Sequence, residues 1–380
     1  MPNIFDYLHW RADVPLSVSP FNDVDNLILS ELIYTDFAGV VPEDGSAVSL
    51  AEARDRFFAL HDRAEIDAKA EYSYTARAPF LMDAMLEGER FQSLRLSCYE
   101  AVTDKEIAAQ FAAVSLLLPD GTAYVAFRGT DGTVVGWKED LILSYQSDTP
   151  GQLRAADYLR RTAALTALPI RVGGHSKGGN LAVYAAANCG ESIRNRLLTV
   201  WNNDGPGFRD ELRALPDYQR IQPRCVSIVP DTSVIGMLLV CDCERRVVKS
   251  TASNLVQHDG FTWECGPTTF VPAELSRKGE YYGKIVENWV ARQDDDTLRS
   301  LVDSLFTLFE STGDETFHAM TENKMKTAEN WLAAFRALPW EKQKELLAAT
   351  GKLLTSSGAS AMEMLDSGAN QQPEQPARES

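Results

Sequence analysis

A glycine-rich run of seven residues, Gly173 to Gly179, joins a short apolar stretch to a stretch compatible with a helix. The apolar stretch is Ile-Arg-Val at residues 170–172, and Asn-Leu-Ala-Val-Tyr-Ala-Ala-Ala follows at residues 180–187. Glycines at such a junction permit a turn too sharp for other residues. Short apolar runs alternate with amphipathic segments from about residue 110 to 265, which indicates βαβ units. The sequence therefore predicts a mostly parallel sheet with helices on its faces.

The inner five residues of this run fit the pattern G-x-S-x-G, with Ser176 at the centre. In this pattern the serine sits on a strained strand-to-helix turn, and the two glycines avoid collisions with neighbouring backbone. The start of the following helix helps to stabilise a developing oxyanion. Ser176 is therefore the candidate nucleophile, and the pattern predicts an α/β-hydrolase fold. The alternative is a glycine-rich turn in which Ser176 only caps a helix.

A serine nucleophile needs a base, normally a histidine held by a carboxylate, and in α/β-hydrolases the chain order is Ser, acid, His. The chain has five histidines. His258 is the one that follows the serine and still lies within the predicted sheet region, so it is the candidate base. The other four lie before the serine, beside it or in the C-terminal helical region: His9, His61, His175 and His318.

Two aspartates between Ser176 and His258 follow predicted strands. Asp231 comes after Val-Ser-Ile-Val-Pro at residues 226–230, and Asp204 comes after residues 199–203. Asp204 is followed by Gly205 and Pro206, which indicate a turn where an aspartate can bond to its own backbone. We therefore prefer Asp231 as the acid and keep Asp204 as the alternative.

An oxyanion hole takes one amide from the residue after the nucleophile, here Lys177, and one from an earlier loop. The segment Phe-Arg-Gly-Thr at residues 127–130, six further residues and Trp-Lys-Glu-Asp-Leu at residues 137–141 resemble the signature of class 3 (fungal-type) lipases, as does the Gly-His-Ser-x-Gly-Gly elbow. The resemblance covers about residues 110 to 260. It implies that Thr130 supplies the second oxyanion donor and that Ser176, Asp231 and His258 form the triad. The chain departs from these lipases at Lys177, where they commonly have leucine, and in its short gap of 27 residues between Asp231 and His258.

The N-terminal stretches at residues 3–8 and 22–29 resemble the bacterial Mbeg-like branch of the α/β-hydrolase superfamily. Four regions are expected: an N-terminal helical extension packed on the core (1–105), the catalytic core (106–282), a C-terminal helical region (283–355) and a disordered tail (356–380). The tail is poor in large apolar residues and cannot repay the entropy of ordering. Within the core, Pro119, Asp120 and Gly121 predict the turn of a hairpin between strands at 113–118 and 123–127.

Composition limits the partners. The formal charge of −17 opposes binding to nucleic acid and to anionic lipid surfaces. The sequence contains no apolar run long enough to span a membrane, so stable membrane insertion is not expected. The N-terminus lacks the basic and apolar regions of a secretion signal, which predicts a cytoplasmic location. The six scattered cysteines are expected to be reduced and mostly buried, and Cys241 and Cys243 lack the second close pair that a metal site would need.

These features predict a serine hydrolase that cleaves carboxylic esters through an acyl-enzyme, on a small-molecule or lipid ester, without a cofactor or metal. A thioesterase, an amidase or an acyltransferase would use the same residues. A catalytically silent fold used as an interaction module is the other alternative. The acidic charge and Lys177 favour short soluble esters over emulsified triglyceride.

Overall fold

The computed structural model describes residues 1–281, 284, 293–314, 316, 320 and 324–349. In this part of the chain, eight strands form one sheet whose spatial order follows the sequence. The first three pairings are antiparallel and the last four are parallel, so the sheet is mixed. The strands are β1 (Ala47–Ser49), β2 (Arg95–Asp104), β3 (Ala109–Leu117), β4 (Ala123–Phe127), β5 (Ile170–His175), β6 (Leu197–Asn203), β7 (Cys225–Pro230) and β8 (Glu244–Val248).

Helices cover both faces of the sheet. One hydrophobic cluster joins the N-terminal helices to the sheet, and a second joins the helices between β4 and β8 to its other face. The α-helices of the described residues include α1 (Ile4–Arg11), α2 (Asp23–Leu32), α3 (Leu50–Leu60), α4 (Arg63–Ala70), α5 (Leu81–Met85), α6 (Glu89–Gln92), α7 (Val134–Ile142), α8 (Pro150–Ala163), α9 (Lys177–Asn188), α10 (Glu191–Arg194), α11 (Asp210–Arg213), α12 (Pro216–Ile221), α13 (Asp295–Glu310) and α14 (Lys324–Ala337).

The predicted hairpin and parallel strands are present. Leu117 pairs with Ala123 across the turn, where Gly121 has a φ of +77°. Beyond this hairpin the strands β4 to β8 run parallel, so their carboxyl ends meet at one edge. This edge holds the residues that follow β5, β6 and β7, including Ser176, Asp204 and Asp231.

The first 105 residues contribute more than helices, because β1 and β2 are part of the sheet. Helix α2 lies directly behind β5, and all ten of its residues are buried, including Asp23, Asp25, Asn26 and Glu31. Trp201 on β6 donates a hydrogen bond to Asp23 over 2.9 Å. The N-terminal region is therefore integral to the sheet rather than an appendage of helices.

Helix α13 packs on α7. Its apolar stripe, including Leu298, Val302 and Phe306, forms a third cluster with Val134 and Ile142 of α7. The predicted tail (356–380) lies outside the described residues. Among the helices that are described, none has the length and apolar character that crossing a bilayer requires.

Candidate active site

The turn between β5 and α9 has the geometry of a nucleophile elbow. Ser176 adopts φ 57° and ψ −134°, a strained conformation for a residue other than glycine. Its amide donates to the carbonyl of Asn203 on β6 over 2.9 Å, which ties the apex of the turn to the next strand. A Cβ at Gly178 would lie 2.1 Å from the carbonyl oxygen of Phe127, so only glycine fits there. The predicted strand–turn–helix arrangement around Ser176 is confirmed.

The imidazole of His258 lies beside this turn. His258 ends a 3₁₀ helix, Asn254–His258, and its side chain is 15% exposed. Its ring lies 4.6 Å, centroid to centroid, from the ring of His175, the residue that precedes Ser176. The structure thus brings together the elbow and the histidine predicted as the base.

The carboxylate that contacts His258 belongs to Asp204. Its Oδ2 lies 2.7 Å from Nδ1 of His258, and the Asp204 side chain is completely buried. The other oxygen, Oδ1, accepts hydrogen bonds from the Ser233 hydroxyl over 2.5 Å and from the Gly236 amide over 3.2 Å. Asp204 itself has a φ of 49°. The turn after β6 therefore aims the carboxylate at the imidazole, whereas the sequence reasoning expected it to bond to its own backbone.

Asp231 has different partners. Its carboxylate accepts hydrogen bonds from the Thr232 hydroxyl and from the side-chain amide of Gln257, each over 2.9 Å. Its carbonyl oxygen accepts from the Ser276 amide over 2.7 Å. Asp231 thus contacts the residue before His258 rather than His258 itself. This geometry favours Asp204 over the preferred Asp231, because the carboxylate of Asp204 contacts the imidazole and that of Asp231 contacts Gln257 instead.

The loop after β4 lies against the elbow. A Cβ at Gly129 would come within 3.0 Å of Cβ of Ser176, so this loop approaches the serine through its glycine. The next residue, Thr130, donates its hydroxyl proton to Oδ2 of Asp140 over 2.7 Å. Burial raises the pKa of the Asp140 carboxyl to about 6, despite the opposing effect of the Lys177 ammonium. Of the two predicted oxyanion donors, Thr130 thus follows the glycine that packs on Ser176, and Lys177 follows Ser176 in the sequence.

The side chain of Lys177 turns away from solvent and is 1% exposed. Its ammonium donates to Oε2 of Glu139 over 2.8 Å and to the backbone and side-chain oxygens of Gln110 over 2.9 Å each. Glu139 also accepts from the amide of Gly151 at the start of α8. Lys177 thus joins α9 to α7 and α8. Because its charge is paired with the buried Glu139 carboxylate, Lys177 gives no support to the predicted preference for short soluble esters.

Several residues that hold the site in place could not be predicted from the sequence. Ser233 and Gln257 belong to no motif, and only the three-dimensional contacts reveal them. The polar residues of α2 carried a weak signal, since Asp23, Asn26 and Ser30 recur at three- to four-residue spacing within an apolar helix. Asn26 and Ser30 contact Asn203 at the end of β6, just before Asp204.

The mixed sheet, the flanking helices and the strand–serine–helix turn define an α/β-hydrolase fold. A model of the Mbeg1-like family matches residues 85–307, more than half of the chain and a span that includes Ser176, Asp204 and His258. The chain belongs to the Mbeg1-like family, and the resemblance predicted from its N-terminal stretches is confirmed.

Fungal lipases are among the solved structures that are similar to this chain. A lipase–inhibitor complex studied for interfacial activation has 16% identity and a TM-score of 0.33, with 45% of this chain and 70% of that chain covered. The native propeptide complex of the Rhizomucor miehei lipase has 17% identity and a TM-score of 0.34, with 52% and 71% covered. No curated protein matches the chain.

Proposed function

We propose that this protein is a serine hydrolase that cleaves carboxylic esters through an acyl-enzyme. Ser176 attacks the carbonyl carbon, and His258 accepts the serine proton at Nε2 and returns it to the leaving group. Asp204 accepts a hydrogen bond from the Nδ1–H of His258 and so orients the ring. The observation that carries this proposal is the 2.7 Å contact between Asp204 and His258 beside a strained serine. Asp204 thus replaces Asp231 as the acid.

The amides of Thr130 and Lys177 are the proposed oxyanion donors. Lys177 begins α9, where the helix dipole favours negative charge. Thr130 is held by Asp140 and follows the glycine that packs on Ser176. Preorganised donors of this kind contribute about 3 kcal/mol each to stabilising a tetrahedral intermediate.

Two features bear on the substrate. Leu255 and Val256, on the 3₁₀ helix that ends at His258, are 65% and 62% exposed, so they offer an apolar surface close to the imidazole. The net charge of −17 opposes adsorption to anionic lipid. A short soluble ester with an apolar acyl group, roughly two to six carbons long, fits both features. Its acyl carbons can contact this apolar surface, at about 0.8 kcal/mol for each buried CH₂, without adsorption of the protein to lipid.

The test is hydrolysis of p-nitrophenyl esters of increasing chain length, beside an acyl thioester, an anilide and emulsified long-chain triglyceride. We expect kcat/KM to be highest on the short esters, without a rate jump above the solubility limit. Ser176→Ala should abolish turnover and leave the thermal unfolding temperature close to that of the wild type, because only one hydroxyl is lost.

Each other outcome would change the assignment. A preference for the thioester or the anilide would keep the triad and change the substrate class. Interfacial activation on the emulsion would favour a lipase. Failure of every substrate, together with no reaction of Ser176 with a fluorophosphonate, would favour a catalytically silent interaction module.

A further inference from the structure

A buried histidine–glutamate pair lies directly behind the proposed base. His175 is fully buried, and its Nε2 lies 2.7 Å from the backbone carbonyl oxygen of His258. A carbonyl oxygen only accepts, so Nε2 of His175 carries a proton and donates it. This hydrogen bond joins the residue before Ser176 to the backbone of His258.

The other ring nitrogen of His175 faces α2. Its Nδ1 lies 3.4 Å from Oε1 of Glu31 and 3.3 Å from the hydroxyl of Tyr34. Glu31 is also fully buried, and within the described residues neither of its carboxyl oxygens has a hydrogen-bond partner, so the 3.4 Å approach to His175 is its nearest polar contact there. Gly260, two residues after His258, packs on it closely, since a Cβ there would lie 2.4 Å from Oε1 of Glu31. Glu31 thus has His175 on one side and the loop of His258 on the other.

We propose that Glu31 and His175 are positioning residues that hold His258 in register with Ser176, and that they do so as a neutral pair in which protonated Glu31 donates to Nδ1 of His175. This inference rests on the proposed function. The lone pair on Nδ1 would repel an ionised carboxylate oxygen 3.4 Å away, whereas a protonated Glu31 can donate to it. A neutral pair also avoids a second positive charge beside His258, whose imidazole becomes positive while it holds the proton of Ser176.

The charges around the pair favour this state. Burial, followed by the nearby charge of Asp259, raises the pKa of Glu31 well above its ordinary value, and Arg77 opposes this only in part. Burial, followed by the charge of His258, holds the pKa of His175 well below its ordinary value. The Tyr34 hydroxyl also faces the pair, 3.3 Å from Nδ1 of His175.

Glu31→Gln and Glu31→Leu separate positioning from packing. The glutamine side chain still offers an N–H to Nδ1, so we expect kcat within about threefold of the wild type, whereas leucine offers none and should lower kcat at least tenfold. KM should change less than twofold in both, and the pH at half-maximal kcat/KM should move only in the leucine variant. Val24→Ala, which creates a cavity at a buried position of the same helix, is the control. It should lower the unfolding temperature and leave kcat unchanged.

His175→Phe keeps a ring beside His258 and removes the donor to its carbonyl. We expect at least a tenfold loss of kcat, partly restored in His175→Gln, whose side-chain amide can reach the same oxygen. Wild-type kcat in His175→Phe, or equal losses in Glu31→Gln and Glu31→Leu, would overturn the proposal.

A measurement independent of turnover tests the pair itself. In protein labelled with ¹⁵N-histidine, the ring-nitrogen shifts of His175 should show a protonated Nε2 and an unprotonated Nδ1 throughout pH 5 to 9. Protonation of both nitrogens at any pH in that range would overturn the neutral pair, even in an active enzyme. Failure of the proposed hydrolase activity would instead appear as a wild-type protein that neither turns over esters nor reacts with a fluorophosphonate.

Discussion

Two neighbouring parallel strands, β6 and β7, are each followed by an aspartate, yet the two side chains have different partners. Asp204 is completely buried and contacts Nδ1 of His258. Asp231 is partly exposed and contacts Gln257, the residue before His258. The 3₁₀ helix that ends at His258 thus presents adjacent side chains to the two carboxylates. The turn after a strand, more than the strand end itself, therefore decides which carboxylate reaches His258.

Asp204→Asn should cause the largest loss. An amide cannot hold the imidazole in the correct tautomer, and loss of the orienting carboxylate lowers kcat by about 10⁴ in the Ser-His-Asp protease triad. Steady-state hydrolysis of the best ester measures this. A loss below tenfold in a folded variant would remove Asp204 from the triad.

Ser233→Ala tests the surroundings of Asp204, with a smaller expected effect. Its hydroxyl donates to Oδ1 of Asp204, and a hydrogen bond to a charged group contributes about 1.5 kcal/mol, so kcat should fall about tenfold. Thr232→Val is the matched control, since its hydroxyl donates to Asp231. A larger loss of kcat in Thr232→Val than in Ser233→Ala would contradict the assignment of Asp204, rather than Asp231, as the acid.

Asp231→Asn should lower kcat less than about tenfold, because its side-chain oxygen can still accept one hydrogen bond from Gln257. The effect should arise from displacement of the 3₁₀ helix rather than from loss of charge at the base. If Asp231→Asn proves as damaging as Asp204→Asn, the comparison fails.

Asp140→Asn should change stability rather than the triad. Burial raises the pKa of Asp140 to about 6 in the folded protein, so the folded state binds this proton more tightly than the unfolded state. Its contribution to stability is therefore complete below about pH 4 and is lost as the pH rises towards 6. Asparagine does not ionise, so the unfolding temperature of the variant relative to the wild type should be higher by a few degrees at pH 7.5 than at pH 4.5.

Asp13→Asn, an exposed substitution, controls for the removal of one negative charge. The quantity compared is the unfolding temperature of Asp140→Asn minus that of the wild type. If this difference is independent of pH, or is larger at pH 4.5 than at pH 7.5, burial of an ionising group at this position is contradicted.

Most of the local chemistry of the proposed site could be predicted from the sequence. The glycines around Ser176 predicted the elbow because they mark close backbone contacts, and His258 followed from chain order. The choice between Asp204 and Asp231 depended on a φ of 49° at Asp204 and on the hydroxyl of Ser233, neither of which leaves a pattern in the sequence. The buried ion pair of Lys177 could not be predicted for a similar reason, since its partner Glu139 lies 38 residues away.

Activation of Ser176 by His258 and Asp204 is the core of the proposed mechanism, and the rate at which a fluorophosphonate modifies Ser176 measures that activation. Peptide mass spectrometry would locate the adduct in the wild type, Asp204→Asn, Asp231→Asn and Ser176→Ala. We expect the adduct on Ser176, with rapid labelling of the wild type, a rate reduced less than tenfold in Asp231→Asn, very slow labelling of Asp204→Asn and none in Ser176→Ala. Labelling of another residue, or equal rates in the wild type and Asp204→Asn, would contradict the account.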